Sequence, residues 1–299
     1  MTDALPQAGA GQMAMSQITT VPIETLSRQR CFGGWQGFYR HQSHEIGLPM
    51  RFSVFLPPQA EHRPCPVLTF LAGLTCTEET FMIKASAQRL AAEYGLILVS
   101  PDTSPRGTNF PGQADHWDFG VGAGFYVDAT QQPWARHWRM YSYVTRELPE
   151  VVAAHFPADP ARQGIFGHSM GGHGALVAAL RNPGRYQSVS VFAPVAAPSR
   201  CPWGQKAFRN YLGANAADWR AYDASELVKA HRHPDEILID QGLDDQFLAE
   251  QLHPHLFEKA ALQSGQAVEL RLHQGYDHGY YFIQSFMADH FRHHAQRIC

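Results

Sequence analysis

Gly164-Ile-Phe-Gly-His-Ser-Met-Gly-Gly-His-Gly-Ala-Leu176 decides how this chain is read. Gly164-Ile-Phe is apolar strand material. Gly171 to Leu180 is a helix of small residues, closed by Asn182-Pro183-Gly184. Between them, Gly167-His-Ser-Met-Gly171 fits the pattern G-x-S-x-G. A serine in that setting sits on a strained strand-to-helix turn, where side chains at the flanking positions would strike neighbouring backbone. The five-residue pattern alone is weak. The strand before it and the helix after it make it specific.

Working outward, the same alternation continues. Apolar or alternating runs predict strands at 51–56, 66–71, 96–100, 164–167, 188–192, 236–240 and 267–272. Helical spacing predicts helices at 80–94, 140–155, 171–180, 246–264 and 280–294. Strands alternating with helices imply an α/β fold with a mostly parallel sheet covered on both faces. Sites in such sheets form at the carboxyl ends of the strands. No linker divides the chain, so 18–299 reads as one domain and 1–17, rich in Ala, Gly and Gln, as a disordered tail. Two segments break the alternation. Residues 102–139 carry many aromatics and read as a packed loop walling a pocket. Residues 194–233 read as the rest of its rim.

Composition removes other readings. The 299 residues carry 24 Lys+Arg against 27 Asp+Glu, a net charge of −3, so a nucleic acid or an anionic membrane is not the expected partner. No apolar run is long enough to cross a bilayer, and no secretory signal opens the chain. The cysteines number five, an odd count, and lack C-x-x-C spacing, which predicts reduced thiols in a cytoplasmic protein. What stands out is 17 histidines and 25 glycines in a chain only 17% charged.

A serine hydroxyl needs a base. His168 and His173 lie on the elbow itself, where their direction is wrong for meeting Ser169, and His273 reads as a strand residue. His278, in Gly275-Tyr-Asp-His-Gly279 between the last strand and the last helix, is the expected base. The acid belongs at the end of the preceding strand. Asp240 lies within that strand, and Asp244 and Asp245 lie in the turn after it. The residues alone do not separate the last two. Asp277 adjoins His278 and should point away. The oxyanion needs two backbone donors. Met170 follows the nucleophile, and the loop after an earlier strand offers Leu74, with Gly73 the nearest alternative. Candidates for the pocket wall are Gly73, Cys76, Trp117, Phe119, His168, Trp203, Lys206 and Tyr280. Cys76, two residues past Leu74, is expected to border the site, so that its modification blocks the pocket without its being the nucleophile.

Longer strings carry a family resemblance. They are Gly73-Leu-Thr-Cys-Thr-Glu78, Trp117-Asp-Phe-Gly-Val-Gly-Ala-Gly-Phe-Tyr-Val-Asp-Ala129, Gly167-His-Ser-Met-Gly-Gly-His-Gly174, Pro202-Trp-Gly-Gln-Lys-Ala-Phe208, Ile239-Asp-Gln-Gly242 and Gly275-Tyr-Asp-His278. From about Gln29 to the C-terminus the chain resembles the S-formylglutathione hydrolases, the esterase D family of α/β-hydrolases. The segment after Pro194 departs from the family's pattern. The resemblance implies a serine thioesterase that releases glutathione and formate in formaldehyde removal. It also implies side activity on small activated esters, no metal or organic cofactor, and a homodimer. It places the triad on Ser169, Asp245 and His278, selecting Asp245 over Asp244. Lys206 and Arg106 are the guesses for anchoring glutathione.

The alternative on the same scaffold is a general short-chain carboxylesterase or an acyltransferase. A metal-binding reading rests on the pairs His231/His233, His253/His255 and His293/His294, but no recognised ligand pattern accompanies them.

Overall fold

In the computed structural model, which describes residues 21–299, nine strands form one twisted sheet in the order β1-β2-β3-β5-β4-β6-β7-β8-β9. They are β1 Ile23–Cys31, β2 Gly34–Gln42, β3 Pro49–Leu56, β4 Cys65–Leu71, β5 Ile97–Pro101, β6 Ala158–His168, β7 Ser188–Phe192, β8 Ile237–Gly242 and β9 Val268–His273. From β5 to β9 every pairing is parallel, and β1, β2 and β3 add an antiparallel flank. The expected α/β architecture is present. The proposed tail, 1–17, lies outside the described residues.

The central strands explain why the alternation was readable. β4, β5, β7 and β8 are buried at every position, as strands covered on both faces must be, and their sequences are nearly continuous apolar runs. β1 and β2 were not expected. β1 lies at the sheet edge and is mostly exposed, so its sequence, IETLSRQRC, shows no apolar face. Its hairpin to β2 turns on Phe32-Gly33, both with positive φ, which suits a two-residue hairpin.

Three expected helices are interrupted. The 80–94 stretch is two helices, Glu78–Lys84 and Gln88–Tyr94, parted where Ser86 takes φ 55°. The 140–155 helix contains a π-helical turn, Tyr143–Glu147, just before Pro149. The 246–264 helix is a π-helical turn, Leu248–Leu252, followed by Pro254–Ser264. Proline at 254 disfavours the α conformation at the residue before it, and His253 sits at φ 50°. The 194–233 rim contains the helix Pro202–Tyr211 and shorter turns.

The aromatic segment 102–139 serves packing more than the pocket. Phe119 lies 4.9 Å, ring to ring, from both Trp134 and Tyr211, and Trp134 packs edge-on against Trp138 at 4.7 Å. Thus Phe119, expected at the pocket, belongs to the core. Large rings bury the area that a loop without regular structure needs in order to stay folded.

The C-terminal helix, Tyr280–Ile298, places three buried histidines against β7. His294 sits between the Ser188 and Ser190 hydroxyls at 2.6 and 2.8 Å. His290 bridges Ser190 Oγ (2.7 Å) and Asp240 (3.1 Å), and His293 meets the Val189 carbonyl at 3.0 Å. His173 bonds the Phe125 carbonyl at 2.9 Å. Much of the histidine excess is therefore core hydrogen bonding.

Burial holds all four rings below the ordinary imidazole value, His173 at about 4. Unfolded, each takes a proton near pH ~6.5. Between those values the unfolded chain binds more protons. Stability is therefore full above the unfolded value and is lost as pH falls towards the folded ones, by up to about 1.4 kcal/mol per unit per ring. Urea melts should show the midpoint falling steadily from pH 7 to pH 5. A midpoint constant over that range would contradict this account.

Candidate active site

The serine turn depends on how closely β4 and β6 approach. Their parallel register pairs Leu71 with Gly167. A Cβ at Gly171 would lie 1.9 Å from the Leu71 carbonyl oxygen, and one at Gly167 would lie 2.3 Å from the Gly171 oxygen. Neither position tolerates a side chain. Ser169 itself sits at φ 58°, ψ −119°, a conformation that costs on the order of 1–3 kcal/mol for a residue with a Cβ. Backbone hydrogen bonds offset that cost: Ser169 N to the Phe192 carbonyl (3.0 Å), and Val195 N and His173 N to the Ser169 carbonyl (both 3.1 Å).

Three loops at the carboxyl ends of β4, β8 and β9 meet this serine. From β4, Gly73 comes so near that a Cβ there would be 3.2 Å from Ser169 Cβ. Within the described residues, the N–H groups of Leu74 and Met170 make no hydrogen bond. From β9, His278 brings Nδ1 to 2.5 Å from Asp245 Oδ2, in the turn after β8. Asp245 has a fully buried side chain. It also accepts from Gln241 Nε2 (3.2 Å) and the Phe247 N–H (2.8 Å). A carboxylate only accepts, so His278 donates from Nδ1 and keeps Nε2 as an acceptor.

The other aspartates are engaged elsewhere. Asp244 is exposed. Asp240 is buried between Arg271, His273 and His290. Burial alone would raise its carboxyl, but hydrogen bonds from His290, Arg271 and His273 prevail and hold it well below the usual range. Asp277 accepts from the Gly279 N–H at 2.8 Å.

A cavity of about 230 Å³ gathers these groups. Gly73, Leu74, Cys76, Ser169 and His278 line it, with His168, Trp117, Trp203 and Tyr280. Ser169 Oγ makes no hydrogen bond among the described residues, and such contacts commonly tighten only once substrate is bound. Thr75 and Phe247 also line the cavity and were not anticipated. Phe247 stands edge-on to the His278 ring at 5.0 Å and meets Trp203 at 4.7 Å. Its signal was available, as an aromatic two residues past the acid. Burial pushes the Cys76 thiol up. His168 is buried, its ring centroid 4.4 Å from that of His278, and burial together with that neighbour holds it neutral.

Lys206 is a correction. It does not line the cavity but pairs with Asp118 at 2.7 Å. Arg106 makes a two-pronged pair with Asp102, at 2.8 Å for each bond. No group of three His, Cys, Asp or Glu side chains able to hold a metal occurs among the described residues. There, too, no helix is long and apolar enough to cross a membrane.

Comparison with known proteins agrees with this geometry. The family model described as putative esterase matches residues 43–293. An S-formylglutathione hydrolase of Mus musculus is 56% identical over 92% of this chain and 99% of its own length. One from Paracoccus denitrificans is 54% identical over 93% and 99%. The solved structure of an S-formylglutathione hydrolase from Agrobacterium tumefaciens superposes with a TM-score of 0.90 at 51% identity, covering 92% of this chain and 99% of that one. A sheet, an elbow and an identity of this order leave one conclusion: the chain belongs to the esterase family of α/β-hydrolases, among its S-formylglutathione hydrolases.

Proposed function

We propose that this protein hydrolyses S-formylglutathione to glutathione and formate through a formyl-enzyme on Ser169. The observation that carries this is the cavity of about 230 Å³. It joins the strained serine, the Asp245-bound His278 and the unengaged Leu74 N–H, with the Met170 N–H directly after the serine, in a chain more than half identical to enzymes named for that reaction. His278 Nε2 takes the Ser169 proton as Oγ attacks the formyl carbonyl. The oxyanion is held by the Leu74 and Met170 N–H groups, each worth ~3 kcal/mol of barrier. Asp245 fixes the tautomer and stabilises the imidazolium. The proton passes to the departing sulfur and glutathione leaves. Water, deprotonated by His278, then attacks the formyl ester, and formate is released with Ser169 restored. The same reading carries a cytoplasmic homodimer, as the free cysteines and the family resemblance suggest.

The cavity is smaller than the ~300–1,000 Å³ of ordinary ligand sites, and Trp117, Trp203 and Phe247 crowd it. It suits a formyl group.

Steady-state kinetics test these assignments. Ser169→Ala should lower kcat by about 10⁵-fold or more with the melting temperature kept, and Asp245→Asn by about 10⁴-fold. Turnover retained in Ser169→Ala would overturn the nucleophile. Only a neutral histidine accepts the proton, so kcat/KM should fall on acidification, and a rate flat from pH 8 to pH 5 would contradict a histidine base. Across S-acylglutathiones, formyl should be fastest and butyryl slower by about tenfold or more. Equal rates would contradict a narrow acyl site and favour a general esterase.

A further inference from the structure

The catalytic cavity has room for the acyl group and the thioester, so the tripeptide must lie outside it. Next to it, on the same sheet edge, is a cleft of about 610 Å³. β3 runs antiparallel to β5, with Phe52 opposite Pro101, which puts Arg51 at the carboxyl end of the parallel strands. The cleft's charged lining is Arg40, Arg51, Glu78, Glu79, Asp102 and Arg106. Most are already engaged or exposed. Arg40 holds Glu24, Arg106 grips Asp102, and Glu79 is open to water.

Glu78 differs. Its side chain is only 3% exposed, and its nearest cation among the described residues is Arg51, 3.9 Å away. A buried carboxylate whose ion pair is this long is poorly compensated, and a second cation placed beside it recovers part of that cost. Burial and the neighbouring Asp102 push its carboxyl up, which a bound ammonium would reverse. Arg51 is half exposed and has no other ion pair among the described residues. A buried carboxylate held only by one long ion pair, beside a guanidinium with no other, is complementary to an ammonium beside a carboxylate.

Cys76 joins cleft and cavity. It lines the cavity, and its carbonyl accepts from Arg106 Nη2 at 3.3 Å and from Thr103 Oγ1 at 2.6 Å. From the thioester sulfur to the α-carbon of the γ-glutamyl residue is seven bonds, about 8 Å when extended. Along the chain, Cys76 in the cavity wall is followed directly by Thr77 and Glu78 in the cleft wall.

We propose that this cleft binds the free α-amino-acid end of the tripeptide, its ammonium on Glu78 and its carboxylate on Arg51. This rests on the reaction proposed above, but its test does not need turnover of the thioester. Glutathione is measured as a competitive inhibitor of aryl-ester hydrolysis, beside glutaryl-cysteinyl-glycine, which keeps that carboxylate and lacks the ammonium. In wild type, loss of the ammonium should raise the inhibition constant about tenfold. In Glu78→Gln, glutathione should weaken to the level of the analogue, and the analogue should not change. Arg51→Gln should weaken both. Equal inhibition by the two compounds in wild type would overturn the proposal, as would a Glu78→Gln variant that weakens both alike. Should Glu78→Gln fail to fold, the wild-type pair and Arg51→Gln decide. S-formylglutathione turnover is assayed in parallel. Its absence would sink the reaction, while the inhibition pattern would still decide the cleft.

Discussion

The contact between the Leu71 carbonyl and the elbow glycines sets up everything else in this structure. It exists because β4 and β6 are parallel neighbours with Leu71 opposite Gly167. With a Cβ at Gly171 placed 1.9 Å from that oxygen, any side chain there would force the strands apart. The approach has two consequences at once. It bends the chain into the positive-φ turn that presents Ser169. It also brings the loop following β4, with Gly73 and Leu74, over the same serine. Nucleophile and candidate oxyanion donors thus share one constraint, and neither can shift without the other. The acid and the base arrive separately, from the ends of β8 and β9, which are paired with each other and reach the site together.

A second theme is how a chain with few charges uses the ones it has. Two carboxylates five residues apart have opposite fates. Asp240, inside β8, is surrounded by Arg271, His273 and His290 and ties the last helix to the sheet. Asp245, past the strand end, keeps one strong partner, His278, and two weaker neutral donors. The first arrangement stabilises; the second leaves an imidazole oriented and free to work. Neutral histidines do the remaining polar work in the core, where a lysine or arginine would demand a counter-charge.

Much of this was legible because parallel strands and the elbow write strong patterns. Continuous apolar runs marked β4, β5, β7 and β8, and the glycines of 167–174 marked the turn. The family strings singled out Asp245, and it is the aspartate that the structure places on His278. The illegible parts have physical causes. β1 is an exposed edge strand with no apolar face. The helix break at Ser86 depends on a single backbone angle, whereas the one at His253 had its mark in Pro254. In 102–139 the aromatics gave no sign of which ring faces the core, so Phe119 and Trp117 looked alike although only Trp117 reaches the cavity. Lys206 looked like an anchor because its partner, Asp118, lies 88 positions away. The Glu78 cleft is built from three distant segments, and no local pattern announces it.

The most direct measurement is rapid-quench mass spectrometry of the protein mixed with S-formylglutathione. The account predicts a transient adduct with the mass of one formyl group, mapping to the peptide that carries Ser169 and absent in Ser169→Ala. Formyl transfer to Cys76 instead, or turnover in Ser169→Ala with the same adduct, would contradict it.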